Sequence, residues 1–259
     1  MNGLRRQLIA ATVAVLVASP ALAVAQTAAE GDAAKKQLEN VARLRQLGGH
    51  VFLRNGQVVE VVLNRTAVRD DELRLVAGFS RMTDLSLEET AIGDDGLKHL
   101  AGLQRLEWLN LYRTRIGDAG LAHLQGLRRL QHLPIGGTRT TDVGLRHLRG
   151  MTQLVYLGLR GNKVTDAGLA HLAGLTRLTG LHLGETQITD AGIKSLAGMD
   201  RLEKLWLNDT AVSDAAVPIL RQLLALRQLY VHDTNMTAAG FRRLRIGLPK
   251  CDIISAATR

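Results

Sequence analysis

The chain has 259 residues, of which 46% are hydrophobic but only 3% aromatic. Few aromatics with abundant Leu, Gly and Ala argue against one large mixed core and for many small, similar layers. The formal charge of +9 keeps polyanions and anionic surfaces in view as partners, and the single cysteine, Cys251, excludes an intrachain disulfide.

In chain order, the first 25 residues read as an export signal. Arg5 and Arg6 precede the apolar run "LIAATVAVLVA", then Pro20 and the small-residue pattern Ala23-Val24-Ala25. A charged region, an apolar region and a cleavage site follow in the expected order. An uncleaved anchor is the alternative, because 8–25 is nearly continuous in apolar character and close to the shortest membrane span. Cleavage after Ala25 or Ala23 removes two arginines and leaves 31 basic against 24 acidic residues, about +7. The destination is then periplasmic or secreted, or membrane-bound through the anchor.

Residues 26–57 read as an N-terminal cap. Within it, 30–47 forms an amphipathic helix with Leu38, Val41, Leu44 and Leu47 on one side. "HVFLRNGQVVEVVL" follows as a hairpin turning at Asn55-Gly56, a strong type I′ signal.

From Val58 the sequence repeats every 24 residues, with copies starting at Met82, Leu106, Leu130, Leu154, Leu178, Leu202 and Leu226. Eight units fill 58–249 with no insertion, and 250–259 reads as a terminal strand and tail. The shared pattern is L-x-x-L-x-L-x-x-T-x-I-x-D-x-G-L-x-x-L-x-x-L-x-x. Its first part alternates apolar and polar residues, as in Leu109-Asn110-Leu111, and predicts a short strand with one buried face. Leu121, Leu124 and Leu127 predict one face of a helix of about ten residues. Thr114 sits at the bend, where its hydroxyl can bond turn backbone. Asp118 is placed to cap the helical N–H groups, and Gly96 and Gly120 to allow close packing in the first turn. Neither element can bury its face alone, so the units must stack. Helices need about 8–10 Å of lateral spacing and strands about 4.8 Å, which curves the stack with its strands inside.

This pattern, and "TDAGLAHLAGL" in particular, resembles the leucine-rich repeat family, and within it the bacterial relatives of ribonuclease-inhibitor and GALA-type repeats. The resemblance spans 58–249. It implies an α/β solenoid, a horseshoe with a parallel sheet on the concave side and short helices on the convex side. It implies little about ligand, since such scaffolds bind many things.

Strand positions three, five and seven point away from the core. They hold both tryptophans and all three tyrosines, Trp108, Trp206, Tyr112, Tyr156 and Tyr230. The phenylalanines, Phe52, Phe79 and Phe241, fall in the cap hairpin or at leucine positions and read as buried. Trp and Tyr supply rigid contact area with a polar tip, so the concave face reads as a recognition surface. The candidate binding set is Trp108, Asn110, Tyr112, His132, Tyr156, Arg160, His182, Trp206, Asn208, Tyr230 and His232. Pro134, Gly136, Gly158, Gly180 and Gly184 leave the middle nearly bare between two aromatic walls. Such a trough suits a protein segment, a peptide or a glycan. Pro134 cannot donate to the ladder, so its strand should be irregular.

With position eight included, this face carries seven acids against Arg65, Arg113, Arg160 and Lys204, a net of about −3. Nucleic acid, which needs a basic contact face, is therefore not the expected partner. His99, His123, His147 and His171 recur one repeat apart, too widely spaced to share a metal, and His132, His182 and His232 are two strands apart. No phosphate loop, nucleophile elbow or paired carboxylate site is present, so neither catalysis, metal nor cofactor is expected. The sequence thus reads as an exported, monomeric, non-enzymatic binding module. The alternative is an envelope scaffold docking through its basic exterior, with Arg128, Arg129, Arg242, Arg243 and Arg245 on loops and helices.

Overall fold

The computed structural model describes residues 20–255. Most of the expected signal, including Arg5 and Arg6, lies outside the described residues. The described residues up to Glu39 belong to one compact unit and those from Asn40 to Ser255 to another. The solenoid below belongs to the second. No described helix is long and apolar enough to cross a membrane.

Helix α1 (Pro20–Gln46) runs into the second unit, where Val41 and Leu44 are buried and Asn40 Nδ2 donates to the Leu75 carbonyl at 2.9 Å. Leu38 does not share the buried face expected for it; it is 63% exposed. The packing of α1 within the solenoid unit begins only beyond it, at Asn40. Strands β1 (His50–Arg54) and β2 (Gln57–Val62) form an antiparallel hairpin. Its turn passes through Asn55 at φ 51° and Gly56 at φ 74°, the left-handed pair a type I′ turn requires.

One three-residue strand follows per repeat: β3 (Asp84–Ser86), β4 (Trp108–Asn110), β5 (His132–Pro134), β6 (Tyr156–Gly158), β7 (Gly180–His182), β8 (Lys204–Trp206) and β9 (Gln228–Tyr230). Terminal β10 (Asp252–Ile254) adds in parallel to β9, and the ten strands lie in sequence order. Equivalent positions face each other along this sheet, as in Trp206 opposite Tyr230. At β4–β5 the paired register shortens to Trp108 opposite His132, the irregularity Pro134 was expected to cause.

On the other side run α2 (Asp94–Leu97), α3 (Asp118–Ala122), α4 (Asp142–Leu145), α5 (Asp166–Ala170), α6 (Asp190–Ile193), α7 (Val217–Leu220) and α8 (Ala238–Gly247). Only α8 reaches ten residues; the others are single turns of four or five, several continued as a 3₁₀ turn. The expected ten-residue helix is therefore corrected. Leucines spaced strictly by three match the three-residue period of a 3₁₀ turn better than 3.6.

In the third repeat Leu106, Leu109, Leu111, Ile116, Leu121, Leu124 and Leu127 are all at most 1% exposed, so the seven apolar positions of the pattern are its core layer. The Thr114 hydroxyl is also buried and donates to the Leu111 carbonyl at 2.8 Å, closing the bend after the strand. Position eight, just before that threonine, has positive φ in all eight repeats; Gly137 and Gly161 occupy it freely, while Arg65, Glu89, Arg113, Glu185, Asp209 and Asp233 carry the strain of a side chain there.

The recurring aspartate works differently from the expected cap. Asp118 Oδ1 accepts from the Thr141 N–H at 2.8 Å and Oδ2 from the Thr141 hydroxyl at 2.7 Å, one repeat further on. Thr141, the residue before the next aspartate, is the N-cap of α4. Asp142, Asp166, Asp190 and Asp214 make the same two-oxygen link to Thr165, Thr189, Ser213 and Thr237, while Asp70 and Asp94 accept only the N–H of Gly93 and Gly117. The glycine two residues after the aspartate gives this link its room: a Cβ on Gly120 would sit 2.5 Å from Asp94 Oδ1. A carboxylate ladder thus stitches each layer to the next.

Candidate functional site

Sheet alternation brings the candidate residues onto one face, but not into equal roles. The most connected group lies at its C-terminal half. The Trp206 ring stacks on His182 with centroids 5.1 Å apart and on Tyr230 at 5.3 Å, each nearly parallel, because position five of β7, β8 and β9 falls in one row. Tyr156 meets Trp206 edge-on at 6.4 Å. Burial, and next the Arg160 charge, lowers the His182 pKa to about 4, so its imidazole is neutral at ordinary pH. Burial likewise raises the Tyr156 phenol above its usual range.

The expected bare middle is partly filled. A Cβ on Gly180 would lie 2.8 Å from the Tyr156 ring, and one on Gly158 would lie 3.1 Å from its hydroxyl. The glycines therefore make room for the Tyr156 ring to lie over the end of its own strand and over β7. What remains open is a depression of about 160 Å³ bounded by Tyr112, Pro134, Gly136, Tyr156, Arg160 and His182. Arg160 is held at its rim, with Nε donating to Glu185 Oε1 at 2.9 Å. The Tyr112 ring carries the Arg113 guanidinium 5.2 Å from its centroid.

Two candidates differ from the expectation of exposed contact residues. Asn110 and Asn208 are each only 7% exposed. Asn110 Nδ2 donates to Glu88 at 3.0 Å, and its Oδ1 accepts from the Tyr112 N–H. Asn208 donates to Asp209 at 2.8 Å. Both amides are buried and turned to hydrogen bonds within the face, so they serve as supports beneath the surface. Trp108 and His132 are half-buried neighbours on β4 and β5, with no ring contact among the described residues. His232 binds Asp233 Oδ2 through Nδ1 at 2.8 Å.

Phe52 also departs from expectation. It is 49% exposed, and its register opposite Glu60 puts it on the concave side at the N-terminal end. The sheet's outward row thus begins one strand earlier than the repeats do.

The three arginines on this face are neutralised by glutamates. Glu89 bridges Arg65 at 2.8 Å and Arg113 at 3.0 Å, and these hydrogen bonds hold its carboxyl below the usual range. Asp209 and Asp233 instead stand beside each other with His232, and ligand atoms of the three lie within 4.8 Å. That donor set was missed in the sequence because position eight was read only as charge. Asp209 and Asp233 stand at successive left-handed bends, and the backbone bond from the Asp209 N–H to the His232 carbonyl brings His232 beside Asp209.

The sequence model described as "Leucine Rich repeat" matches residues 175–197. No curated protein matches the chain significantly. Among solved structures, internalin C2 from Listeria monocytogenes is similar at a TM-score of 0.61 and 23% identity, over 78% of this chain and 82% of that one. The leucine-rich repeat ectodomain of the plant membrane receptor kinase GASSHO1/SCHENGEN3 from Arabidopsis thaliana, solved in complex with CASPARIAN STRIP INTEGRITY FACTOR 2, is similar at 0.57 and 16% identity. It shares 79% of this chain but only 25% of its own. The PEPR1–AtPEP1 complex follows at 0.51 and 13% identity, over 79% of this chain and 36% of that one. At these identities the likeness is one of fold: the chain is an α/β leucine-rich repeat solenoid, with a parallel sheet on one side and short helices on the other.

Proposed function

We propose that this chain is an exported, non-enzymatic binding module that grips a protein or peptide segment on its concave face. The observation that carries the reading is the aromatic platform of His182, Trp206 and Tyr230 with Tyr156 set edge-on beside it. Stacked rings on rigid strands cost little entropy on binding and offer both apolar area and polar tips. The depression between Tyr112 and Tyr156 adds a pocket for one side chain. The carboxylates of Glu60 and Asp84, which form no ion pair among the described residues, favour a segment carrying basic residues, and a glycan stacked on the rings is a less favoured ligand. The fold neighbours solved with partners support a protein or peptide partner. The domain plan that goes with this reading is a removed signal over 1–25, a cap over 26–57, eight ribonuclease-inhibitor-type repeats over 58–249, and a terminal strand.

The test is affinity capture from envelope and culture-medium extracts by the wild-type chain and by a Y156A/W206A/Y230A variant of unchanged circular dichroism. Loss of the captured partner in the variant is the expected result. Undiminished capture overturns the reading. N-terminal sequencing of the secreted product tests the signal, with a new N-terminus at Gln26 or Val24 expected.

A further inference from the structure

A second surface lies along the edge where the loops enter the strands, away from the concave face. Arg81, Arg105 and Arg129 end successive repeats there, and Arg54 stands at the end of β1 beside the hairpin turn. In-register strands space these loops by about 4.8 Å. Arg54, Arg81 and Arg105 line one depression of about 740 Å³, together with Asn55, Gln57 and Ser80, and no acidic side chain lines it. A further depression of about 380 Å³ at the ends of the third and fourth repeats, lined by Arg128, Gln125 and Gln153, also has no acid in its lining. All five arginines are exposed, and none forms an ion pair among the described residues. On the concave face, by contrast, Arg65, Arg113 and Arg160 are each neutralised by a glutamate. Glu107 is the one acid in the loop residues 80–83, 104–107 and 128–131.

We propose that this edge binds a linear anionic polysaccharide, bearing carboxylates or sulfates at short intervals along the chain. A row of guanidiniums at regular spacing, held by a rigid scaffold, repels itself until a polyanion neutralises it. Each planar fork accepts a carboxylate or sulfate bidentately, which favours arginine over lysine for such a ligand. Single-stranded nucleic acid fits less well, because its sites rely on aromatic side chains for base stacking and neither depression has one. The polar amides of Asn55, Gln57 and Gln153 suit sugar hydroxyls between the charges. This site is separate from the concave face, and either can fail without the other.

The experiment measures binding of the full chain to heparin and to polygalacturonate across a salt series, beside an oligo-dT of similar charge. An R54Q/R81Q/R105Q variant is compared with an R115Q/R242Q/R245Q control of the same net charge. Wild type is expected to bind at least one of the two polysaccharides more tightly than oligo-dT. The edge variant should lose at least tenfold in affinity, with a log–log salt slope shallower by roughly two to three; the control should stay within about twofold. Equal weakening of both variants, tighter binding of oligo-dT, or binding of neither polysaccharide overturns the proposal.

Discussion

Asp166 of the fifth repeat holds Thr189 of the sixth with both carboxylate oxygens, Oδ1 accepting the N–H at 2.8 Å and Oδ2 the hydroxyl at 2.6 Å. The link joins two layers on their helical side, away from the strand pairing and the Arg160–Glu185 ion pair that also connect them. Gly192 is part of the same device, since a Cβ there would press into Asp166 Oδ1. Asp166→Ala should destabilise the chain by about 2 kcal/mol, because the Thr189 N–H loses a charged acceptor. Gly192→Ala should destabilise it by roughly 1–3 kcal/mol through overpacking. In the Asp166→Ala background the glycine substitution should cost at least about 1 kcal/mol less, read as coupling in urea unfolding. Strict additivity would show that the two residues do not act together.

Ser86 offers a change in the other direction. Ser86 is 2% exposed, and its hydroxyl has no hydrogen-bond partner among the described residues. Ser86→Ala removes the buried polar atom without opening a large cavity, and should stabilise the chain by about 1 kcal/mol in urea unfolding. A loss of stability would mean the hydroxyl is satisfied in solution.

The His182 ring gives an acid response with a defined window. In the unfolded chain it binds a proton near the ordinary value of 6.5, but in the fold only near about 4. Between these values the unfolded state holds more protons, so acid favours unfolding. The contribution is fully present above about 6.5 and is lost as pH falls toward about 4. Tryptophan fluorescence should titrate near pH 4, because Trp206 stacks on this ring. The transition should vanish in His182→Phe. A midpoint near 6.5 would place the ring in water.

Much of this architecture is written in the sequence, and the part that is not has physical reasons. The 24-residue period, the alternating strand and the Asn55-Gly56 turn specify layers and connections, because each is a local preference repeated many times. The aspartate's role is not legible there, because a capping residue and an inter-repeat acceptor look alike in one dimension. Its partner stands 23 residues away, at a position occupied by Gly, Thr or Ser. The outward rows were legible as rows, since both tryptophans fall in them. Which members are covered was not: Asn110 and Asn208 are buried in hydrogen bonds to Glu88, the Tyr112 N–H and Asp209, and Tyr156 spreads over glycines that looked like empty floor.

Cys251 illustrates a smaller point of the same kind. Partial burial, reinforced by Asp252, raises its thiol to about 11 against an ordinary 9.0. At pH 8 the thiolate fraction falls about a hundredfold, and modification by iodoacetamide should slow by a similar factor relative to the urea-unfolded chain. Equal rates would show the thiol to be free.

The most direct test of concave recognition is a hydrogen-exchange footprint of the captured partner on the intact chain. Binding on the aromatic platform predicts protection at 156–160, 180–184, 204–208 and 228–232, together with a change in the fluorescence of Trp206. Protection confined to the helical side, at 118–124, 142–148 and 166–172, with those strands and Trp206 unchanged, would contradict it.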